Sequence, residues 1–286
     1  MKVTESVQSL NEYVREQRDA GKKIALVPTM GNLHQGHLDL VARARELADR
    51  VIVSIFVNPL QFEPGGDLDN YPRTLAADTD KLLQAGADLL FAPDVNEIYA
   101  KDLSKTTQVV VPGLSSLWCG ASRAGHFQGV STIVNKLLNM AQADFAVFGE
   151  KDFQQLCIIR KMVADLNMPV SIIAVPTRRE ADGLAMSSRN AYLSSNERKI
   201  AAKLREVMVN LQEKISSGQY LDYQKAARQA LETLHQAGFK TDYLAICRQS
   251  DLQLAEPDDK DLVILAAAYL GKARLIDNCI FSIAGH

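Results

Sequence analysis

Two histidines three residues apart, His34 and His37, flank Gly36 in the stretch Pro28-Thr29-Met30-Gly31-Asn32-Leu33-His34-Gln35-Gly36-His37. Imidazoles donate hydrogen bonds to phosphate oxygens and carry a charge near neutral pH. Gly31 and Gly36 have no side chain to hold a phosphate away from the backbone. Lys23–Val27, just before the stretch, has the length and apolar character of a buried strand. After it, Leu40, Val41, Ala44, Leu47 and Ala48 share one helical stripe, with Arg43, Arg45, Glu46 and Asp49 on the other side. The histidines therefore sit on a strand-to-helix turn, where unpaired backbone N–H groups and the positive end of the helix dipole meet. An anion there gains about 0.3–1 kcal/mol from the dipole alone. The rival readings are a metal-ligand pair or two ordinary surface histidines. The glycine and the strand–turn–helix setting favour phosphate.

Other segments carry chemistry with less force. Phe56-Val57-Asn58-Pro59-Leu60-Gln61-Phe62 ends a second apolar run with two amides. Asn58 before proline either caps a turn or meets a ligand, whereas the Gln61 amide can both donate to and accept from a hydroxy acid. Gly149-Glu150-Lys151-Asp152-Phe153-Gln154-Gln155 opens a helix. There Lys151 suits a phosphate or carboxylate, Asp152 a ribose hydroxyl or a helix cap, and Gln155 a second substrate; a well-capped surface helix is the rival. In Met186-Ser187-Ser188-Arg189-Asn190, hydroxyls, N–H groups and a guanidinium can clamp the outer phosphates of a nucleotide, against the plainer reading of a polar interdomain linker. Arg123, in Arg123-Ala124-Gly125-His126, is a candidate anion contact; His126 is open between structural and catalytic roles.

The elements that must position these groups alternate. A leading helix is expected over 5–20, with Val7, Leu10, Tyr13 and Val14 inward. Strands are expected over 51–57, 89–92, 144–148 and 170–175, and helices over 74–85, 129–142 and 152–166. Residues 108–111 read as extended, and Glu63–Asp67 as a polar loop. Such alternation predicts βαβ units and a parallel sheet, with ligands beyond the carboxyl ends of the strands. Segments 28–37, 58–62 and 149–155 are then expected to converge. After Pro176 the pattern changes. Helices over 195–216 and 222–237 precede apolar runs at 243–246, 262–268 and 275–280, the order of a small α+β domain with an antiparallel sheet. The boundary is expected near 176–184, giving an α/β domain over 1–176 and a smaller domain over 177–286.

At 286 residues and a formal net charge of −2, a large basic nucleic-acid footprint is not expected. Neither a membrane span nor the apolar core of a signal peptide is evident. Cys119, Cys157, Cys247 and Cys279 are scattered, as befits buried or incidental thiols in a reducing cytoplasm. No acidic cluster announces a metal site.

The His-x-Gly-His turn resembles the signature of the nucleotidyltransferase superfamily related to class I aminoacyl-tRNA synthetases. Together, Pro28–Gly31, Phe56–Pro59, Gly149–Gln155 and Met186–Asn190 resemble the pantothenate synthetase (pantoate–β-alanine ligase) family, densely to about residue 200 and more loosely beyond. The resemblance implies a Rossmann-like ATP- and pantoate-binding domain, a C-terminal lid domain and a cytoplasmic homodimer. It implies that pantoate attacks the α-phosphate of Mg–ATP and that β-alanine then displaces AMP from pantoyl adenylate. It assigns catalysis to His34, His37 and Lys151, with His37 as proton donor. ATP would meet Met30, Gly31, Asn32, Leu33, His34, Gln35, Gly36, His37, Gly149, Glu150, Lys151, Asp152, Arg178, Met186, Ser187, Ser188 and Arg189. Pantoate and β-alanine would meet Gln61 and Gln155, with Asn58 and Arg123 also candidates. Mg²⁺ would arrive on ATP. Arg178, Trp118-Cys119-Gly120 and Ala124 depart from the commoner pattern, and the Arg178 contact is expected through backbone. The competing readings are a nucleotidyltransferase acting on another small substrate and a non-catalytic ATP-sensing module.

Overall fold

Ile24–Thr29 is fully buried over its first four residues, as an apolar run must be when a sheet is covered on both faces. The structure is a computed structural model that describes residues 1–62, 68–69, 71–99 and 102–283; the loop expected over Glu63–Asp67 lies outside them. In chain order the elements are β1 (Lys2–Thr4), α1 (Val7–Asp19), β2 (Ile24–Thr29), α2 (Gln35–Leu47), β3 (Arg50–Ile55), α3 (Leu75–Ala85), β4 (Leu89–Phe91), α4 (Val95–Ile98), α5 (Cys119–Ser122), α6 (His126–Ala141), β5 (Phe145–Gly149), α7 (Phe153–Asp165) and β6 (Ser171–Val175). There follow α8 (Ser195–Ala201), α9 (Lys203–Ser216), α10 (Tyr223–Gln236), β7 (Lys240–Arg248), β8 (Asp261–Leu270) and β9 (Ala273–Ser282).

Contacts divide the chain into two units. The first comprises Met1–Ser116, Arg123–Glu150 and Gln155–Pro176; the second comprises Leu117–Ser122, Lys151–Gln154 and Thr177–His286. Two short stretches that precede Pro176 in the sequence thus belong to the second unit.

Among the described residues the first unit holds a six-stranded sheet in the order β1-β4-β3-β2-β5-β6, parallel at every pairing. From β2 the chain steps outward through β3 and β4, then restarts on the other side of β2 with β5 and β6. The carboxyl ends of β2 and β5 therefore form the topological switch point, where open α/β sheets bind ligands. Leu40, Val41 and Ala44 of α2 pack with Ala25, Val27 and Val53 of the sheet in one core. Leu47 and Ala48, placed on the same stripe by periodicity, are only half-buried.

The second unit holds a three-stranded antiparallel sheet, β7-β8-β9. Leu204, Met208 and Leu211 of α9 and Ala226, Ala230 and Leu234 of α10 share its core with Leu262, Ile264 and Leu275.

Four features differ from the sequence reading. β1 was not expected; its three residues are too few for a periodic signal, and pairing with β4 makes it a strand. Residues 108–111 join no ladder, and the Val109 N–H donates instead to Thr132 Oγ1 on α6 at 2.9 Å. The helix expected over 195–216 breaks at Ala202 into α8 and α9. α6 begins three residues earlier than its apolar stripe suggested, capped by Gly125 at φ +77°. Among the described residues, no helix is long and apolar enough to cross a membrane.

Candidate active site

β2 delivers the histidine turn to the switch point. Gly31 takes φ +81° and Asn32 φ +50°, a left-handed pair that reverses the chain before α2. A Cβ on Gly31 would sit 3.1 Å from Ile55 Cγ2 and 3.2 Å from Asp78 Oδ2, so the position has neither the torsional nor the spatial freedom for a larger residue. Asp78 of α3, fully buried, holds the turn from the other side. Its carboxylate accepts the backbone N–H groups of Asn32 and Leu33, both at 2.8 Å, and the Thr74 hydroxyl at 2.9 Å. Lys81 Nζ lies 3.9 Å from the same carboxylate and donates to the Leu33 carbonyl at 2.6 Å.

His34 is the N-cap residue of α2, and His37 lies in its first turn. Their rings are 4.1 Å apart between centroids. The backbone N–H of His34 donates to His37 Nδ1 at 3.2 Å. A ring nitrogen that accepts leaves the proton of a neutral imidazole on the other one, so Nε2 is the donating atom of His37.

Beyond β3 a 3-10 turn, Pro59–Gln61, is capped by Asn58, whose Oδ1 accepts the Leu60 N–H at 3.3 Å. Asn58 is 1 % exposed. Its Nδ2 donates to Gln61 Oε1 at 3.2 Å and to the Gly129 carbonyl at 3.0 Å, and its Oδ1 also accepts from the Tyr99 hydroxyl at 2.8 Å. Asn58, expected among the substrate contacts, is buried and brackets Gln61, with both ends of its amide engaged within the protein. Gln61 Nε2 faces Met30 Sδ at 2.8 Å, which links the β3 turn to the β2 turn.

The backbone of Gln61 is held as firmly. Its carbonyl accepts from His126 Nδ1 at 2.8 Å and from Arg123 Nη2 at 3.4 Å, while Arg123 Nη1 lies 3.2 Å from His126 Nε2. Both residues hold the Gln61 peptide. α6 can approach so closely because residue 129 is glycine; a Cβ there would fall 2.3 Å from the Leu60 carbonyl oxygen.

At the end of β5, Gly149 and Glu150 belong to the first unit, as does the half-buried Gln155. Lys151 and Asp152 belong to the second. Lys151 Nζ is 3.8 Å from Asp152 Oδ2, and its side chain is 20 % exposed. In that same unit, residues 178–186 fold into a tight hairpin. The Met186 N–H donates to the Arg178 carbonyl at 2.9 Å, and Arg179 pairs with Ala185 in an antiparallel bridge. The Arg178 side chain is exposed. The hairpin delivers Met186, Ser187, Ser188 and Arg189, and Ser187 Oγ accepts the Arg189 N–H at 3.3 Å. Lys151, Ser187, Asn190, Arg205 and Asp277 line one small hollow.

The first unit therefore brings together Met30, the histidine turn, Gln61, Arg123 and the end of β5. The second brings together Lys151 and the serine–arginine segment. Asp78, Tyr99, Gly129, Asp277 and Asn278 escaped the sequence reading. One signal was available: Asp277-Asn278 interrupts an apolar run, and consecutive strand residues point to opposite faces, so one of the two had to share the face of the flanking apolar residues. Asp78 and Tyr99 carried no such mark.

All four cysteines are free thiols. Burial pushes Cys157 up to about 11 and Cys247 up to about 12, which leaves them protonated and unreactive near neutrality.

The model of the pantoate-β-alanine ligase family matches residues 2–280. The chain is 54% identical over 281 residues to the pantothenate synthetase of Shewanella loihica, covering 98% of this chain and 99% of that one. It is 55% identical over 278 residues to that of Pseudomonas entomophila, covering 97% and 96%. Among solved structures, the pantothenate synthetase of Thermus thermophilus superposes with a TM-score of 0.90 at 44% identity, over 98% of this chain and 99% of that one. A pantoate-beta-alanine ligase of Francisella tularensis, in complex with beta-gamma ATP and beta-alanine, does so with 0.80 at 33% identity, over 98% and 97%. A family match that runs through both units, together with relatives more than half identical over nearly the whole chain, makes this chain a member of the pantoate–β-alanine ligase family.

Proposed function

We infer that this chain condenses pantoate with β-alanine at the expense of ATP, through a pantoyl adenylate, releasing AMP and pyrophosphate. The observation that carries the reading is the His34 N–H bond to His37 Nδ1. It presents the opposite ring nitrogen as a donor at the first turn of α2, beside the positive end of the helix dipole.

In the first step the pantoate carboxylate attacks the α-phosphate of ATP, and pyrophosphate leaves. Negative charge grows on the phosphate oxygens, and donors fixed where charge develops are worth about 2.7–4 kcal/mol each. His37 Nε2–H and His34 are assigned to that charge, and so are Lys151 and the Ser187–Arg189 segment. Gln61 and Gln155 hold pantoate, and the Gln61 amide is held in one orientation by Asn58 and Met30. In the second step the β-alanine amine attacks the acyl carbon of the anhydride and AMP leaves. Holding reactants in line supplies about 7–11 kcal/mol of such a barrier.

Mg²⁺ enters as part of the Mg–ATP substrate. The groups this chain is proposed to bring to the triphosphate are imidazole, ammonium, guanidinium and amide. A covering role for the C-terminal unit, a homodimer and a cytoplasmic location complete the proposal. Small-angle scattering with and without ATP, and sedimentation, test the first two.

The decisive experiment is an AMP-release assay in which pantoate, β-alanine or ATP is omitted in turn, alongside pyrophosphate–ATP exchange. Exchange that requires pantoate but not β-alanine is expected. Exchange indifferent to pantoate would return the assignment to a nucleotidyltransferase of other specificity, and ATP binding without AMP release would return it to a sensor.

A further inference from the structure

Two adjacent polar residues, Asp277 and Asn278, lie in β9, each 4 % exposed. β9 is an edge strand of the second unit's sheet, and its neighbours Leu275 and Cys279 belong to the apolar core. Buried polar side chains persist in such a place only with good partners, and the partners of these two are informative. Asn278 Nδ2 donates to the backbone carbonyl of Lys151 at 3.0 Å. Asp277 forms a two-pronged ion pair with Arg179, at 2.7 and 3.0 Å, and accepts the Asn278 N–H at 2.7 Å. Arg179 then donates to the Gly183 carbonyl at 3.1 Å, at the tip of the hairpin that delivers Met186–Arg189. Arg205 Nη1 completes the arrangement by donating to the Asn278 carbonyl at 3.0 Å.

One dipeptide therefore holds two segments that are remote in sequence: the Lys151 peptide through Asn278, and the 178–186 hairpin through Asp277 and Arg179. Successive residues of a strand are rigidly spaced, so their ligands are spaced too. Lys151 and Ser187 line the same hollow, with Asp277 in its wall. We propose that Asp277 and Asn278 are positioning residues for the ATP half-reaction, setting the Lys151 ammonium in register with the Ser187–Arg189 segment. They touch no reacting atom themselves and act through the groups they hold. The proposal rests on the assignment of Lys151 to ATP made above.

The test is Asn278→Ala, measured by pantoate-dependent pyrophosphate–ATP exchange, by KM for ATP and β-alanine, and by Tm, alone and combined with Lys151→Ala. Misplacing a catalytic group by about 1 Å costs up to 10²-fold, so exchange in Asn278→Ala is expected to fall by about 10- to 100-fold. KM for β-alanine should stay within about twofold, and in the Lys151→Ala background Asn278→Ala should cost less than about twofold more, since groups acting as a unit are not additive. A merely structural role would multiply into the Lys151→Ala background. That outcome, or native exchange in Asn278→Ala beside a strongly impaired Lys151→Ala, overturns the proposal. Native exchange in Lys151→Ala itself would instead overturn the assignment of Lys151. If Asn278→Ala does not fold, the near-isosteric Asn278→Leu fills the same volume, cannot donate to the carbonyl, and is judged by the same thresholds.

Discussion

Asn58 Nδ2 donates to Gln61 Oε1 at 3.2 Å across a single 3-10 turn. The amide of Gln61 thereby has a defined acceptor end and a defined donor end, the latter toward Met30 Sδ. An unbraced amide could present either end to a hydroxy acid; this one presents a fixed pattern.

Replacing Asn58 by alanine is expected to free the Gln61 side chain and leave the Gly129 carbonyl unpartnered by Asn58. The cost in stability should be about 1–3 kcal/mol, the range for a buried polar group left unsatisfied. KM for pantoate should rise while KM for ATP changes little. Urea unfolding and initial rates check both, and an unchanged KM for pantoate in folded Asn58→Ala would remove Gln61 from the pantoate site.

His37→Ala and Lys151→Ala should fold with near-native melting curves, since neither residue is fully buried. Turnover is expected to fall by about 10²–10⁴-fold, the span for a positioned acid or charge. Single-turnover AMP formation is the measurement, and a near-native rate in either variant counts against that residue's role.

Asp78→Ala removes the acceptor of two turn amides and of the Thr74 hydroxyl. Each amide left without an equivalent partner costs about 1–3 kcal/mol. Asp78→Asn, which retains one carbonyl acceptor, should lose less. In both variants the turn before His34 loosens, so KM for ATP should rise in step with the stability loss. Equal stability of native protein and Asp78→Ala would show that the turn does not depend on this carboxylate.

Tyr99 supplies a pH dependence. Burial raises its phenol well above the ordinary tyrosine value, so the folded state keeps a proton that the unfolded chain releases near pH 10. A group with a raised folded pKa stabilises fully below the unfolded pKa and loses that contribution as pH rises through the folded one. The Tyr99 hydroxyl bond to Asn58 should therefore persist unchanged through neutral pH. Above about pH 10, native protein should lose stability faster than Tyr99→Phe. Parallel denaturant titrations from pH 7 to 11 test this, and superimposable curves for the two proteins would refute it.

The histidine turn, the alternating elements and the change of pattern after Pro176 were legible along the chain because each is local. An apolar stripe, a glycine before a helix and a run of β-branched residues express their physics within a few residues of themselves. The same locality explains the misreadings. Three-residue β1 has no period to detect, and the extended 108–111 segment spends a backbone donor on Thr132 rather than on a strand.

What the tertiary structure decided is who holds whom. Asp78 reaches its turn amides from 45 and 46 residues away, Tyr99 reaches Asn58 from 41, and Asn278 reaches Lys151 from 127. The sequence by itself determined which groups are able to meet a phosphate or a hydroxy acid. It left open that Asn58 brackets Gln61, and that a C-terminal strand anchors the lysine. A hydrogen bond between distant segments leaves no periodic trace, because its geometry exists only once the sheets have packed and excluded water from both partners.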